Sequence, residues 1–277
     1  MFISPGRSDS LDADNQLLAA LPSDVRAHLE RDLERVKLAQ GLTLQEAGVT
    51  LKYVYFPSTA VVSLVSDMQD GGSAEVAVVG QEGVVGVCAF TGGGNALSGG
   101  VVQTAGLAWR MSANVLACHA ARQAPVMLSL MRYTQALFVQ LAQNSACNRH
   151  HSLLQQLCRW LLQHQDRQQG HDLLVTHERI AHLLGVRRET ITACAQTLQK
   201  SGLIRYSRGR LTVLDRKGLE DHSCECYGVV KSVYDKLSDC DPLAQIAVAH
   251  RRVDDGRVLA KPVQALRMPD AQLVLEA

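Results

Sequence analysis

The 277-residue chain contains no run of the roughly 18 consecutive apolar residues that a membrane-crossing helix needs. Its first residues, Met1-Phe-Ile-Ser-Pro-Gly-Arg-Ser-Asp-Ser, lack the apolar segment of a secretory leader. A cytoplasmic protein with no membrane partner is expected. Enzyme motifs are missing as well: there is no Gly-x-Ser-x-Gly elbow, no phosphate-cradling loop ending in Gly-Lys-Ser/Thr, no His-Glu-x-x-His helix and no compact acid pair in a recognisable motif. A metal or thiol enzyme is the competing class, and no motif supports it. The eight cysteines (88, 118, 147, 158, 194, 224, 226 and 240) are scattered rather than framed, which favours reduced thiols over a disulfide scaffold.

What is present is an ordinary globular composition, 47% apolar and 20% charged, with length enough for two domains and a sizeable core. The net charge of +1 conceals an asymmetry. Residues 1–145 carry −3 and residues 146–277 carry +4, while 176–217 alone carries nine basic against three acidic residues. A basic segment in a near-neutral protein is the footprint of a module that meets a polyanion, or else a solvated charged face.

From about Lys52 to Met111 short Val-rich runs alternate with glycines: Lys52-Tyr-Val-Tyr-Phe, Ala60-Val-Val-Ser-Leu-Val, Glu75-Val-Ala-Val-Val and Gly100-Val-Val-Gln-Thr-Ala. Their spacing predicts a mainly β first domain, an antiparallel sandwich or barrel. Before it, Val25, Leu29 and Leu33 suggest a short helix. After Pro125 the period changes. Met127, Leu130, Thr134, Leu137, Leu141 and Asn144 recur at three and four residues, the seam of a coiled coil, and are read as a homodimer seam; the alternative is a stripe that covers the β domain. A further helix is expected over about 146–165, with Leu153, Leu154, Leu157, Trp160 and Leu161 on one face.

The most informative stretch begins at Thr176. Thr176 caps a short helix whose Ile180, Leu183 and Leu184 turn inward, Gly185 supplies a tight turn, and a second helix starts at about Arg187. In that helix Ile191, Cys194, Ala195 and Leu198 form a buried stripe, opposite Glu189, Thr192, Gln196 and Gln199. Arg187, Arg188 and Glu189 sit in its first turn, where Arg matches guanine N7/O6 and Glu matches cytosine N4. Arg187, Arg188, Glu189, Thr192 and Gln196 are therefore the expected base readers. Leu203-Ile-Arg-Tyr-Ser-Arg-Gly-Arg-Leu-Thr-Val-Leu reads as a hairpin turning at Arg208-Gly209, a wing that aims Arg205, Arg208 and Arg210 at phosphates. Double-stranded DNA is the expected partner.

With these residues in place, the segment resembles the C-terminal domain of the Crp/Fnr family, named for the cyclic-AMP receptor protein and the fumarate and nitrate reduction regulator. Gly185-Val-Arg-Arg-Glu-Thr-Ile is similar to the start of that family's recognition helix, in which an Arg-Glu pair reads bases, here Arg188 and Glu189. Thr176 matches a phosphate-contacting threonine, and Thr176 and Thr190 are expected to join the wing arginines in the phosphate-contacting set. A further base-reading arginine of some members is Ala193 here, which implies a different operator. The resemblance implies an α+β fold: an N-terminal β-roll like a cyclic-nucleotide-binding domain (1–124), a long dimerisation helix (125–145) and a C-terminal winged helix-turn-helix (146–230), followed by a tail (231–277). It also implies a homodimer on palindromic DNA and RNA polymerase as a partner.

The family's cyclic-nucleotide pocket uses a Gly-Glu pair and an Arg-Ser/Thr pair. Alignment puts Val87 where the glutamate belongs and Leu97 where the arginine belongs, so cyclic-AMP binding in the usual mode is not expected; Ser98 alone does not offset phosphate desolvation. Iron-sulfur members carry cysteines near the N-terminus, and this chain has none before Cys88. No cofactor is expected. His222-Ser-Cys224-Glu-Cys226 lacks the paired two-residue spacings of a zinc site, so no metal ligand is assigned and the group is read as packing behind the wing. A thiol-redox regulator of the same architecture stays open, with Cys88, Cys224 or Cys226 as sensor.

Overall fold

The computed structural model describes residues 15–168, 170 and 172–238. Two short helices, α1 (Gln16–Ala19) and α2 (Ser23–Glu30), precede seven strands: β1 (Glu34–Leu38), β2 (Thr43–Gln45), β3 (Tyr53–Pro57), β4 (Val61–Asp67), β5 (Ser73–Val79), β6 (Gly99–Thr104) and β7 (Gly106–Ser112). All pairings are antiparallel, in two sheets ordered β1-β7-β3 and β2-β6-β4-β5. Val54, Phe56 and Met111 of the first sheet share one core with Val62, Ala77, Val79 and Val102 of the second. The predicted valine runs are strands β3 to β6. Strand β1 escapes the sequence because only Leu38 of its five residues is buried.

Helix α3 (Ala113–Arg122) leads into α4 (Ala124–His150), 27 residues and so about 40 Å long. α4 outruns the expected 125–145, and the next helix, α5 (Leu153–Asp166), starts later than the expected 146. The boundary is local chemistry: Ser152 and Gln155 form a reciprocal capping box that fixes the start of α5, with His151 left extended between the helices.

The stripe read as a dimer seam requires correction. Leu130 and Leu137 are buried in the chain's own core, Met127 and Leu141 pack against it, Asn144 donates to Val76 O, and Thr134 donates to Leu130 O on its own helix. The stripe covers the β domain. The arc of α4 left bare carries Met131, Gln135, Phe138 and Ala142, and Phe138 is 69% exposed.

Beyond α5 come β8 (Asp172–Leu174), α6 (His177–Leu184), α7 (Arg188–Lys200), β9 (Ile204–Ser207), β10 (Arg210–Val213) and α8 (Arg216–Asp221), with a third sheet ordered β8-β10-β9. They enclose a second core of Leu157, Trp160, Leu161, Ile180, Leu183, Ile191, Leu198, Ile204 and Leu211. The last helix among the described residues, α9 (Glu225–Ser238), runs through the expected boundary at 230; Val230 and Tyr234 belong to the first core, with Val233 and Leu237 packed against it. Tyr234 OH donates to Gln140 Oε1 of α4 at 2.8 Å. The rest of the expected tail, 239–277, lies outside the described residues.

Candidate nucleic-acid interface

The interface is built on α6 and α7. Thr176 N-caps α6, its Oγ1 accepting from Arg179 N at 3.1 Å. That uses a lone pair and leaves the exposed hydroxyl hydrogen to donate outward. Gly185 ends α6 with φ +65°, a left-handed conformation that an L side chain adopts only at a cost of about 1–2 kcal/mol. Arg187 is the N-cap of α7, and Arg188 is its first helical residue.

Ile191, Ala195 and Leu198 bury one face of α7 in the second core. Arg187, Arg188, Glu189 and Thr190 of the opposite first turn are all exposed, as is Gln196 two turns on. Two guanidinium groups, one carboxylate and a hydroxyl thus stand together at a helix N-terminus, the arrangement that reads base edges while helix-end N–H groups face phosphate.

Thr192 and Gln199 have partners inside the domain. Thr192 is half-buried, donates to Arg188 O at 3.0 Å, and lies 3.1 Å from His177 Nδ1. Gln199 Oε1 accepts from Tyr206 N at 2.9 Å, and the His177 ring stacks on Tyr206 with centroids 4.1 Å apart. These contacts splice the wing to the recognition helix. Burial and the neighbouring Arg188 both hold the His177 imidazole below its ordinary value.

The wing turns through Arg208 (φ +50°) and Gly209 (φ +78°), the pair of positive angles of a two-residue hairpin turn, and β9 pairs β10 in register from Arg210↔Ser207 to Val213↔Ile204. Arg205 and Arg208 are exposed at its surface. Arg210 is exposed but engaged, its guanidinium 2.9 Å from Asp172, which also accepts from Thr212 at 2.6 Å. Hydrogen bonding by Thr212, with Arg210 beside it, holds the Asp172 carboxyl below the usual carboxylate range. A phosphate would compete with Asp172 for Arg210, so the three arginines are not equivalent.

Two features are visible only in three dimensions. The Arg167 guanidinium at the end of α5 is buried and donates through Nε to Glu82 Oε1 at 2.7 Å. His164, also buried, places Nε2 3.3 Å from Glu75 Oε2, and Ser63 donates to the same carboxylate oxygen. Both ties join α5 to the β domain. Cys224 and Cys226, expected behind the wing, instead meet Cys147 and His151 at the end of α4. Among the described residues, that is the one group of three or more His, Cys or acidic side chains close enough to share an ion.

Two antiparallel sheets around one core, a long helix and a winged helix-turn-helix define the fold class of Crp/Fnr-type regulators. Residues 155–222 match the family model of the Crp-like helix-turn-helix domain, and the chain carries that domain. Among solved structures, FixK2 from Bradyrhizobium japonicum superposes with a TM-score of 0.60 at 15% identity, over 69% of this chain and 98% of that one. A Crp/Fnr-family protein from Eubacterium rectale gives a TM-score of 0.59 at 19% identity, over 74% and 96%. A CRP-family regulator from Thermus thermophilus gives 0.57 at 20%, over 68% and 96%. No curated protein sequence matches the chain. Among the described residues no helix is long and apolar enough to cross a membrane.

Proposed function

We propose that the chain is a sequence-specific DNA-binding transcription regulator, not an enzyme, that acts as a homodimer on a palindromic operator. The observation that carries this reading is the exposed first turn of α7, where Arg187, Arg188, Glu189 and Thr190 stand clear of the protein while Ile191, Ala195 and Leu198 anchor the helix behind them. In this reading Arg188 and Glu189 read base edges, with Arg187 and Gln196 beside them. Thr192, half-buried and bonded to Arg188 O, serves mainly to brace the helix. Thr176, Thr190, Arg205 and Arg208 hold phosphates, and Arg210 joins them by exchanging Asp172 for a phosphate oxygen.

The dimer forms through the bare arc of α4. Met131 and Phe138 are spaced one heptad apart on it and both are exposed, which supports a seam on this arc. Two recognition helices then enter successive major grooves, with half-sites about 34 Å apart. RNA polymerase is the partner through which such a protein acts. An effector in the β domain would act by favouring one arrangement of α4, α5 and the DNA-binding unit. Cyclic AMP in the usual mode is not that effector: Leu97 is 85% exposed and Val87 half-buried, and neither supplies a charge to hold a phosphate or ribose.

The test is selection of bound sequences from a random duplex pool at stated salt. A two-fold symmetric motif is the expected result. Absence of enrichment, both with the pure protein and after adding cell extract, defeats the reading.

A further inference from the structure

Cys147 lies in the last turn of α4, and His151, the extended residue that ends the helix, donates its backbone N–H to Cys147 O. The start of α9 brings Cys224 and Cys226 against these two residues. Cys147 Sγ lies 3.5 Å from Cys224 Sγ, and Cys226 Sγ lies 3.4 Å from His151 Nδ1. All four atoms fall within 4.8 Å of one another, with the three thiols buried and the imidazole half-buried. Around a tetrahedral zinc ion, bond lengths of about 2.3 Å to sulfur and about 2.0 Å to nitrogen set sulfur–sulfur separations near ~3.8 Å and sulfur–nitrogen separations near ~3.5 Å. The Cys226–His151 pair at 3.4 Å is close to its spacing, and the Cys147–Cys224 pair at 3.5 Å is slightly inside its own.

The surroundings fit ligation too. Glu225 Oε1 lies 3.3 Å from His151 Nε2, so it orients the ring and leaves Nδ1 facing the thiols, as an outer carboxylate does for a metal-bound histidine. Gln143 Nε2 donates to Cys226 Sγ at 3.1 Å, an outer hydrogen bond that holds this sulfur in place.

We propose that Cys147, His151, Cys224 and Cys226 form a closed Cys3His site for one thiophilic divalent cation, zinc by ligand softness and coordination number, which clamps the end of α4 to the start of α9. The clamp sits where α4 gives way to α5: His151 is both a ligand and the extended residue between the two helices. Binding of the ion therefore fixes the joint through which the long helix meets the winged domain. Each ligating thiol loses its proton to solvent, and no electron is transferred.

The sequence conceals the site because its ligands come as Cys-x3-His and Cys-x-Cys, 77 residues apart between Cys147 and Cys224. The proposal does not depend on DNA binding, because its readout is metal content. Full-length protein, purified under reducing conditions without a histidine tag, is analysed for metals, stripped with chelator, and titrated with zinc and then cobalt(II). About one zinc per chain is expected, together with thiolate-to-cobalt charge-transfer absorption and the visible bands of a tetrahedral ion. Cys224→Ser and His151→Ala should each lower zinc affinity by at least ~10-fold, while Cys118→Ser, at an exposed thiol outside the cluster, should leave it unchanged. The cobalt spectrum is read on the unaltered chain, so a variant that fails to fold does not decide the matter. Uptake below roughly a tenth of an ion per chain in the reduced protein overturns the proposal. So does an octahedral cobalt spectrum, or a Cys147–Cys224 disulfide forming on mild oxidation in a chain that takes up no zinc when reduced.

Discussion

At the scale of single residues, the interface assigns different work to arginines that composition treats alike. Arg188 stands in the first turn of α7, where a bidentate contact to guanine discriminates between bases by about 1–3 kcal/mol. Arg188→Ala should therefore lower operator affinity by about 5- to 150-fold and relax preference at one base pair, while binding to random DNA changes little. Arg208 sits at the wing tip with φ +50°. Arg208→Ala should weaken specific and random DNA by similar factors and lower the slope of log affinity against log salt by about one. Competition binding over a salt series reads both quantities, and equal behaviour of the two variants contradicts the assignment. Arg210→Ala should cost less than Arg208→Ala, because freeing Arg210 for a phosphate first breaks its 2.9 Å pair with Asp172. The reverse order would show that Asp172 does not restrain it.

At the scale of elements, the sequence disclosed what is encoded locally and missed what is decided by partners. The helix-turn-helix was legible because each of its determinants acts within a few residues: a capping threonine at 176, a left-handed glycine at 185, and a stripe of Ile191, Ala195 and Leu198. The wing was legible from Arg208-Gly209 for the same reason. In α4 the heptad period was legible but its direction was not, because apolar residues occupy two neighbouring arcs and period alone does not say which meets the β domain. α9 was missed because its apolar stripe is short and its partner, α4, lies about 90 residues earlier, as the Tyr234–Gln140 bond shows. The bare arc yields a prediction. Phe138→Glu puts a charge at the centre of an apolar contact while leaving Leu130 and Leu137 in the protomer core. Sedimentation should show a shift from dimer to monomer, with circular dichroism unchanged and operator affinity reduced by at least ~10-fold. A variant that stays dimeric would place the seam elsewhere.

At the scale of the whole described chain, two apolar cores are joined by a polar seam, and this decides how the molecule responds to change. Val65 of β4 lies in the second core, Arg179 Nε donates to Gln103 Oε1 at 3.2 Å, and the Arg167–Glu82 and His164–Glu75 pairs bridge α5 to the β domain. Apolar surfaces slide at modest cost, but a buried guanidinium that loses its carboxylate has nowhere to place its charge. Burial pulls the Arg167 guanidinium down, yet Glu82 outweighs it and holds the group above its ordinary value, so Arg167 keeps its charge. Glu82→Gln keeps the shape and removes the charge. It should destabilise the folded chain by about 3–5 kcal/mol, a fall in melting temperature on the order of 10 °C. Because the pair is shared between the domains, calorimetry should also show the two domains unfolding less concertedly in the variant than in the parent. Replacing both partners, Glu82→Leu with Arg167→Met, should recover most of the lost stability while leaving the two domains less tightly coupled, since an apolar pair fills the space without fixing an orientation. A Glu82→Gln chain that melts as one unit at the parent temperature would mean that the apolar cores alone hold the domains together, and an effector in the β domain would then have to reach the winged domain through α4.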